Sequence, residues 1–328
     1  MKYKMFLAMI LILFLSPMLF THHGVASIGV GGLKGPGAPL ETSSSQTLPK
    51  NSWLLYFKLD YADFKKYTID KDGENDYSAF LMWGLGYAPT PYLSLYCFAP
   101  LNVKVVDDNS YNTAGFADLT MMAVLGFKYD DGIRLVPAKE SIDDMMDWHF
   151  TFYGGMTLPT GDANIADVDG NIDPGKSLGF GKPSISFGFT STKGFHDNYT
   201  YVFDTSYISF MENEYNNGER MKFGSEFRIN SALNYRFYVN ERKKLRADIT
   251  IEGSYLRLGR DIENGEGAYA TGGNIIYFLP GLRLYVNNVS LALAVKVPVY
   301  TALNESDEQQ GAEGKEKLRF IFSFSTLF

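Results

Sequence analysis

The chain has 328 residues, a formal charge of −7 and a single cysteine. An acidic balance argues against nucleic acid as a partner, and one cysteine excludes a disulfide framework within the chain. Aromatic residues make up 15% of it, Tyr and Phe far outnumber Trp, and Gly occurs 32 times, a composition that suits either a membrane barrel or a β-sandwich and leaves the choice to periodicity.

Lys2 and Lys4 precede an apolar run from Met5 to Phe20, broken only by Ser16 and Pro17. A basic start before a short apolar core reads as a Sec signal peptide over 1–26, with cleavage near Ala26. The run falls short of the roughly 20 apolar residues that a membrane helix needs. No Cys follows it, which argues against lipoprotein processing. Losing Lys2 and Lys4 takes the formal charge from −7 to −9. His22 and His23 would form a metal-binding N-terminus only if cleavage fell before them; removal is the preferred reading.

Residues 27–51, SIGVGGLKGPGAPLETSSSQTLPKN, are rich in Gly, Pro and Ser and show little period. A flexible extension is expected, and a partial plug of a lumen or a link to a periplasmic partner are both open to it. From 52 to 328 the pattern becomes strand-like. In SWLLYFKLDYADF, Trp53, Leu55, Phe57, Leu59 and Tyr61 alternate with Leu54, Tyr56, Lys58, Asp60 and Ala62. Two strands flank the turn APTPY at 88–92, the second of them holding Cys97. FADLTMMAVLGFKY sets Leu119, Met121, Ala123, Leu125 and Phe127 against Asp118, Thr120 and Lys128. WHFTFYGGMTLPTG sets Phe150, Phe152 and Met156 against His149, Thr151, Tyr153 and Thr157.

EFRINSALNYRFYV and LRADITIEGSY carry the clearest signal. Phe227, Ile229, Leu233, Tyr235 and Phe237 oppose Glu226, Arg228, Asn230, Asn234 and Arg236. Ala247, Ile249, Ile251 and Tyr255 oppose Arg246, Asp248, Thr250, Glu252 and Ser254. Two further strands meet at Asn287-Asn288, a pair suited to a tight turn. The chain closes on LRFIFSFSTLF, with Phe320, Phe322, Phe324 and Phe328 on one parity and Arg319, Ser323 and Ser325 on the other.

A strand in a sandwich runs about 5 or 6 residues. These run roughly 10 to 13, the length that crosses a bilayer at a tilt. Short turns near 89–91, 194–198, 240–244 and 287–288 alternate with longer polar loops. The expected fold is all-β: a transmembrane, antiparallel, up-and-down β-barrel of about twelve strands, since an open edge cannot sit in lipid. The connection from Asp130 to Asp147 is too long for the short-turn side and has no place in that scheme.

By parity, Lys58, Asp60, Asp118, Arg228, Asn230, Arg236, Arg246, Asp248, Glu252 and Arg319 point into the lumen. They would either bias which solutes pass or form a neutralised, plugged interior. Phe324 and Phe328 belong to a C-terminal assembly signal. DKDGEND at 70–76 and DVDGNID at 167–173 place carboxylates around a Gly, so Asp167, Asp169 and Asp173 are weak calcium candidates, with a solvated loop as the better reading. No metal site or cofactor is expected. Of the histidines only His149 and His196 follow the signal, both at predicted periplasmic ends, and no nucleophile elbow, Walker loop or zinc-protease motif occurs, so no catalytic residue is assigned.

TLPK at 47–50, GFADL at 115–119, TLPTG at 157–161, LPGLRLYV at 279–286 and KVPVY at 296–300, with the closing ladder, also follow in a familiar order. The chain over 47–328 resembles the outer-membrane β-barrel porin family associated with the meta-pathway of phenol degradation. The resemblance implies an outer-membrane barrel distantly like long-chain fatty-acid transporters, without a substrate and without catalytic residues. The expected role is passive passage of small molecules, apolar or aromatic ones included. A barrel hydrolase and a closed structural barrel that sheaths a partner protein are the alternatives. Expected partners are outer-membrane lipid and lipopolysaccharide, the assembly machinery and a small solute, with a homo-oligomer left open.

Overall fold

The computed structural model describes residues 35–65, 75–106, 108–196, 198–304 and 316–328. The signal region, His22, His23, residues 27–34, the loop at 66–74 with most of DKDGEND, and the loop at 305–315 lie outside them. Twelve long strands form one closed antiparallel barrel. They are β1 (Trp53–Phe64), β2 (Asn75–Thr90), β3 (Leu93–Val106), β4 (Leu119–Tyr129), β5 (His149–Leu158), β6 (Ser184–Phe195), β7 (Tyr199–Phe210), β8 (Glu226–Asn240), β9 (Leu245–Leu258), β10 (Gly273–Val286), β11 (Val289–Leu303) and β12 (Glu316–Leu327). Each pairs with the next. Closure comes from β12 on β1, in a register from Leu54 opposite Leu327 to Ala62 opposite Arg319. Phe328 extends that seam, because its N–H donates to the Trp53 carbonyl at 2.9 Å and its carbonyl accepts from the Trp53 N–H at 2.7 Å.

The alternation read from the sequence follows the pleat. On β12, Arg319, Ile321, Ser323 and Ser325 are buried while Phe320 is 52% exposed. The outer surface carries Leu85, Leu125, Phe152, Leu233, Ile251 and Leu293, all exposed. Aromatic pairs ring both rims: Trp53 with Tyr87 and Tyr199 with Tyr235 at one end, Tyr61 with Tyr77 and Phe187 with Tyr207 at the other. An apolar band between aromatic girdles is the surface that lipid solvates.

The two ends differ. One carries the short turns, where Asn287 takes a φ of 56° and His196 one of 49°. Left-handed backbone is what such tight reversals demand. The connection that the sequence could not place also lies here. Residues Ile133–Leu135 pair back onto the end of β4, and a short helix α1 (Ile142–Met146) follows, closed by a capping box between Ser141 and Asp144. Lys128 of β4 holds Asp144 at 2.8 Å, and Glu140 receives His149 at 3.0 Å, which pins the connection to the barrel's end. At the other end the loop 159–183 folds inward, burying Leu178 against Ala79 and Val103.

The barrel interior is divided. Inward side chains of β1 to β5 form an apolar cluster that includes Tyr56, Phe80, Met82, Tyr96, Phe98 and Met122. Two glycines make room for it. A Cβ on Gly84 would stand 2.7 Å from the Phe98 ring, and one on Gly86 would stand 2.7 Å from the Tyr96 ring, so the rings lie across bare backbone of the neighbouring strand. Inward side chains of β7 to β12, with Lys58 and Asp60 of β1, are instead mostly polar or charged.

Candidate functional site

The lumen is occupied by the chain's own N-terminal segment. Residues 35–40, Thr42, Ser45 and Leu48 are buried. The segment rises from β1 at the short-turn end, turns at mid-lumen and comes back. Leu48 N–H donates to Ser94 Oγ at 2.9 Å and Thr47 Oγ1 to the Pro91 carbonyl at 2.6 Å, near the turn between β2 and β3. Ser45 N–H then reaches Thr192 Oγ1 at 2.9 Å. At the apex, the Glu252 carboxylate accepts from Leu40 N–H at 2.5 Å, Thr42 N–H at 2.8 Å and Thr42 Oγ1 at 2.7 Å, with Glu41 N–H at 3.2 Å. The returning arm gives its carbonyls to arginines. Arg283 donates to Ala38 O at 3.0 Å and Pro39 O at 2.6 Å, while Arg246 and Arg236 donate to Gly35 O at 2.7 and 2.5 Å. Gln46 Nε2 ties the two arms by donating to Pro36 O at 3.0 Å.

The segment forms no ladder. Its Gly-, Pro- and Ser-rich sequence leaves backbone groups that a β-strand would pair, and wall side chains satisfy them instead. Two apolar anchors accompany the polar bonds. Leu48 enters the apolar cluster of the β1–β5 half, and Leu40 packs on Leu279, Ala292, Ala294 and Ile321. Each fully buried leucine contributes about 1.5–3 kcal/mol.

Glu41 stands at the apex between two lysines. Lys58 Nζ binds its Oε1, and Lys296 Nζ lies 3.0 Å from its Oε2. The wall carries ion pairs of its own: Lys58 with Asp60 at 2.9 Å, Arg228 with Glu226 at 2.5 Å, Arg246 bidentate with Asp248 at 2.7 and 2.5 Å, and Arg319 with Glu316. Asp204 accepts from Tyr153 at 2.9 Å and Asn230 at 2.7 Å.

Of the residues that parity places in the lumen, Lys58, Asp60, Arg228, Asn230, Arg246, Asp248, Glu252 and Arg319 are buried inside the barrel. Arg236 is half-buried near the short-turn rim. Asp118 sits at the long-loop end, where its carboxylate accepts the Gly161 and Phe180 N–H groups, both at 2.8 Å, and clamps the inward loop. Burial pushes its carboxyl above the ordinary range, and those N–H bonds offset part of the effect. The weak metal candidates are loop residues, Asp169 and Asp173 exposed and Asp167 half-buried. Asp167 accepts from Asp169 and Asn171 N–H, and Asp173 from Gly175 N–H. Among the described residues no group of three or more His, Cys, Asp or Glu is placed to hold a metal.

Sequence reasoning missed Asp204, Arg283, Lys296 and Glu316 as lumen residues, and it read Glu226 onto the polar face of its strand without adding it to the lumen set. The signal was present for two of them, because Arg283 lies between Leu282 and Leu284 and Lys296 between Val295 and Val297. A lone cation between apolar neighbours on a strand marks the inward face.

A family model described as "Putative MetA-pathway of phenol degradation" matches residues 82–300. The chain belongs to this family. No curated protein matches it. Among solved structures, the COG4313 outer membrane channel from Pseudomonas putida F1 superposes with a TM-score of 0.65 at 14% identity, covering 87% of this chain and 98% of that one. The family member thus shares the fold of an outer-membrane barrel. The NanC porin follows with a TM-score of 0.48 at 7% identity, covering 83% of this chain and 98% of that one.

Proposed function

We propose that this protein is an outer-membrane channel for small molecules, closed by its N-terminal segment and opened when that segment withdraws. The location is the Gram-negative outer membrane, after signal cleavage, with the short turns and both arms of the segment on the periplasmic side. The observation that carries the reading is the U-shaped path. Both arms reach the same end of the barrel, so the segment can leave without threading its end through the wall. The wall behind it is lined with buried polar side chains, which an apolar core would not tolerate without partners. Withdrawal would exchange their bonds to the segment for bonds to water.

Single-channel conductance in planar bilayers tests this. The full mature chain should be closed for most of the record and open briefly. A variant lacking residues 35–48 should give long, steady openings. A folded deletion variant that stays silent would sink the channel reading and favour a closed structural barrel. Passage of small apolar or aromatic solutes is a narrower form of the same reading, tested by their uptake into liposomes carrying the deletion variant.

A further inference from the structure

We infer that Lys58 and Lys296 form a carboxylate-binding site of the open lumen, and that small organic carboxylates are the solutes this channel holds best. The inference rests on the channel reading above and adds the chemistry of the solute. Both lysines are almost wholly buried, at 0% and 1% exposure. They reach the same carboxylate from β1 and β11, on either side of β12, one on each oxygen.

Their counter-charges are unequal. Lys58 has a second carboxylate partner that belongs to the wall, Asp60 at 2.9 Å. The Arg228, Arg246 and Arg319 cations are likewise matched by Glu226, Asp248 and Glu316 on the wall. Lys296 differs. Among the described residues its ion pair is with Glu41 alone, and its remaining close partner is the face of the Tyr277 ring, 4.4 Å away. Withdrawal of Glu41 leaves Lys296 without its carboxylate partner and open to water, a place that a replacement carboxylate can take through a charge-assisted bond. Neutral and cationic solutes cannot restore that pair.

A small polar cavity of about 20 Å³, room for a single water, is bordered by Glu41, Ser43, Tyr153, Asp204, Arg228 and Lys296 and adjoins the cradle. The body of a ligand whose carboxylate takes the place of Glu41 would occupy the space that the segment vacates. Glu252 stays on the wall as an acceptor once the N–H groups of 40–42 have gone. A carboxylate that carries a hydroxyl or N–H donor would therefore meet both halves of what the segment offers.

The Glu41 side chain ends as a tethered propionate, which makes propionate the probe. Glu41→Gln in the full mature chain removes the internal competitor and leaves the wall intact. The carboxyl resonance of 13C-labelled propionate should broaden and shift on titration with this variant in detergent. The unsubstituted protein should bind at least about tenfold more weakly, because tethering holds Glu41 at a high effective concentration. Adding Lys296→Gln to the variant should abolish the shift. Adding Lys296→Arg, which keeps the charge, should retain it, and propionamide should not compete. Absence of propionate binding by both the folded Glu41→Gln protein and the folded variant lacking residues 35–48 would overturn the site, as would equal binding after Lys296→Gln. Heat-modifiable gel migration reports folding for each variant. Binding needs no conduction, so a site that binds in a barrel that never conducts would fail the channel reading instead.

Discussion

Glu252 of β9 and Thr42 of the lumen segment are joined twice, through the Thr42 N–H at 2.8 Å and its hydroxyl at 2.7 Å to the same carboxylate oxygen. The other oxygen takes Leu40 N–H at 2.5 Å. One buried carboxylate thus gathers the backbone at the apex of the U, where no ladder exists to do so. Hydrogen bonds to a charged group contribute about 1.5–3 kcal/mol each, roughly twice a neutral one. Glu252→Gln keeps one acceptor and loses the charge. It should shift the closed-to-open balance by about 1–2 kcal/mol, a factor of roughly 5–30. Open probability in single-channel records measures this, and maleimide labelling of Ser43→Cys measures it independently. An unchanged labelling rate would mean that the apex bonds do not hold the segment.

At the short-turn end, Asp144 sits at 2.8 Å from Lys128 and caps α1 through Ser141. The Lys128 and Ser141 bonds lower its carboxyl from an ordinary 3.8 to about 2. A depressed carboxyl stabilises the native arrangement above the unfolded value and loses that contribution as pH falls through the folded one. The connection 130–148 should therefore hold at neutral pH and loosen between about pH 4 and pH 2. Asp144→Asn should loosen it at pH 7 already. Hydrogen exchange of peptides spanning 136–147 reads both effects, and identical exchange in the variant at pH 7 would refute the role given to Asp144.

That connection also marks where legibility in the sequence ends. Strands such as β8 and β9 are readable because alternation is a local property, fixed by the pleat whatever the neighbours are. The twelve-strand count and the inward parity of Lys58, Arg228 and Arg319 follow from it. Residues 35–50 have no period, since their bonds go to side chains of many different strands. Composition alone suggests a loose extension, and only the assembled wall shows where Gly35, Ala38 and Leu40 find partners. The apolar lining of Phe80, Met82 and Phe98 is hidden for another reason. A strand apolar on both faces shows no alternation, so the inward face of β2 and β3 cannot be told from the lipid face.

Asp261 lies at the long-loop end, where Oδ1 accepts Gly224 N–H at 2.6 Å. Burial raises its carboxyl from 3.8 to about 6, partly opposed by that bond. The sign is opposite to that of Asp144. Between about pH 4 and pH 6 the native state binds the extra proton, so stability falls as pH rises through that window. The contact between the loops 211–225 and 259–272 should be firmer at pH 5 than at pH 7. Asp261→Asn should remove the difference. The exchange rate of the Gly224 amide, corrected for intrinsic pH dependence, decides it. A corrected rate that does not change between pH 5 and pH 7 in the parent protein would contradict the assignment.

Leu293 is the plainest test of which face meets lipid. It lies well within β11, paired with Leu282 on one side and Phe322 on the other, and it is 62% exposed. Its neighbours Ala292 and Ala294 are buried against Leu40 inside the barrel. In water, exposed Leu293→Arg would be nearly neutral and would improve solubility. At the middle of a bilayer the same change costs about 2–4 kcal/mol. Folding into liposomes, followed by the unfolding midpoint in urea, should show a loss of that size, and Val289→Arg, at the short-turn rim of the same strand, should lose much less. Equal effects at both positions would mean that the apolar band does not sit in hydrocarbon, and a depth-dependent loss ties the outward parity of the whole barrel to the membrane.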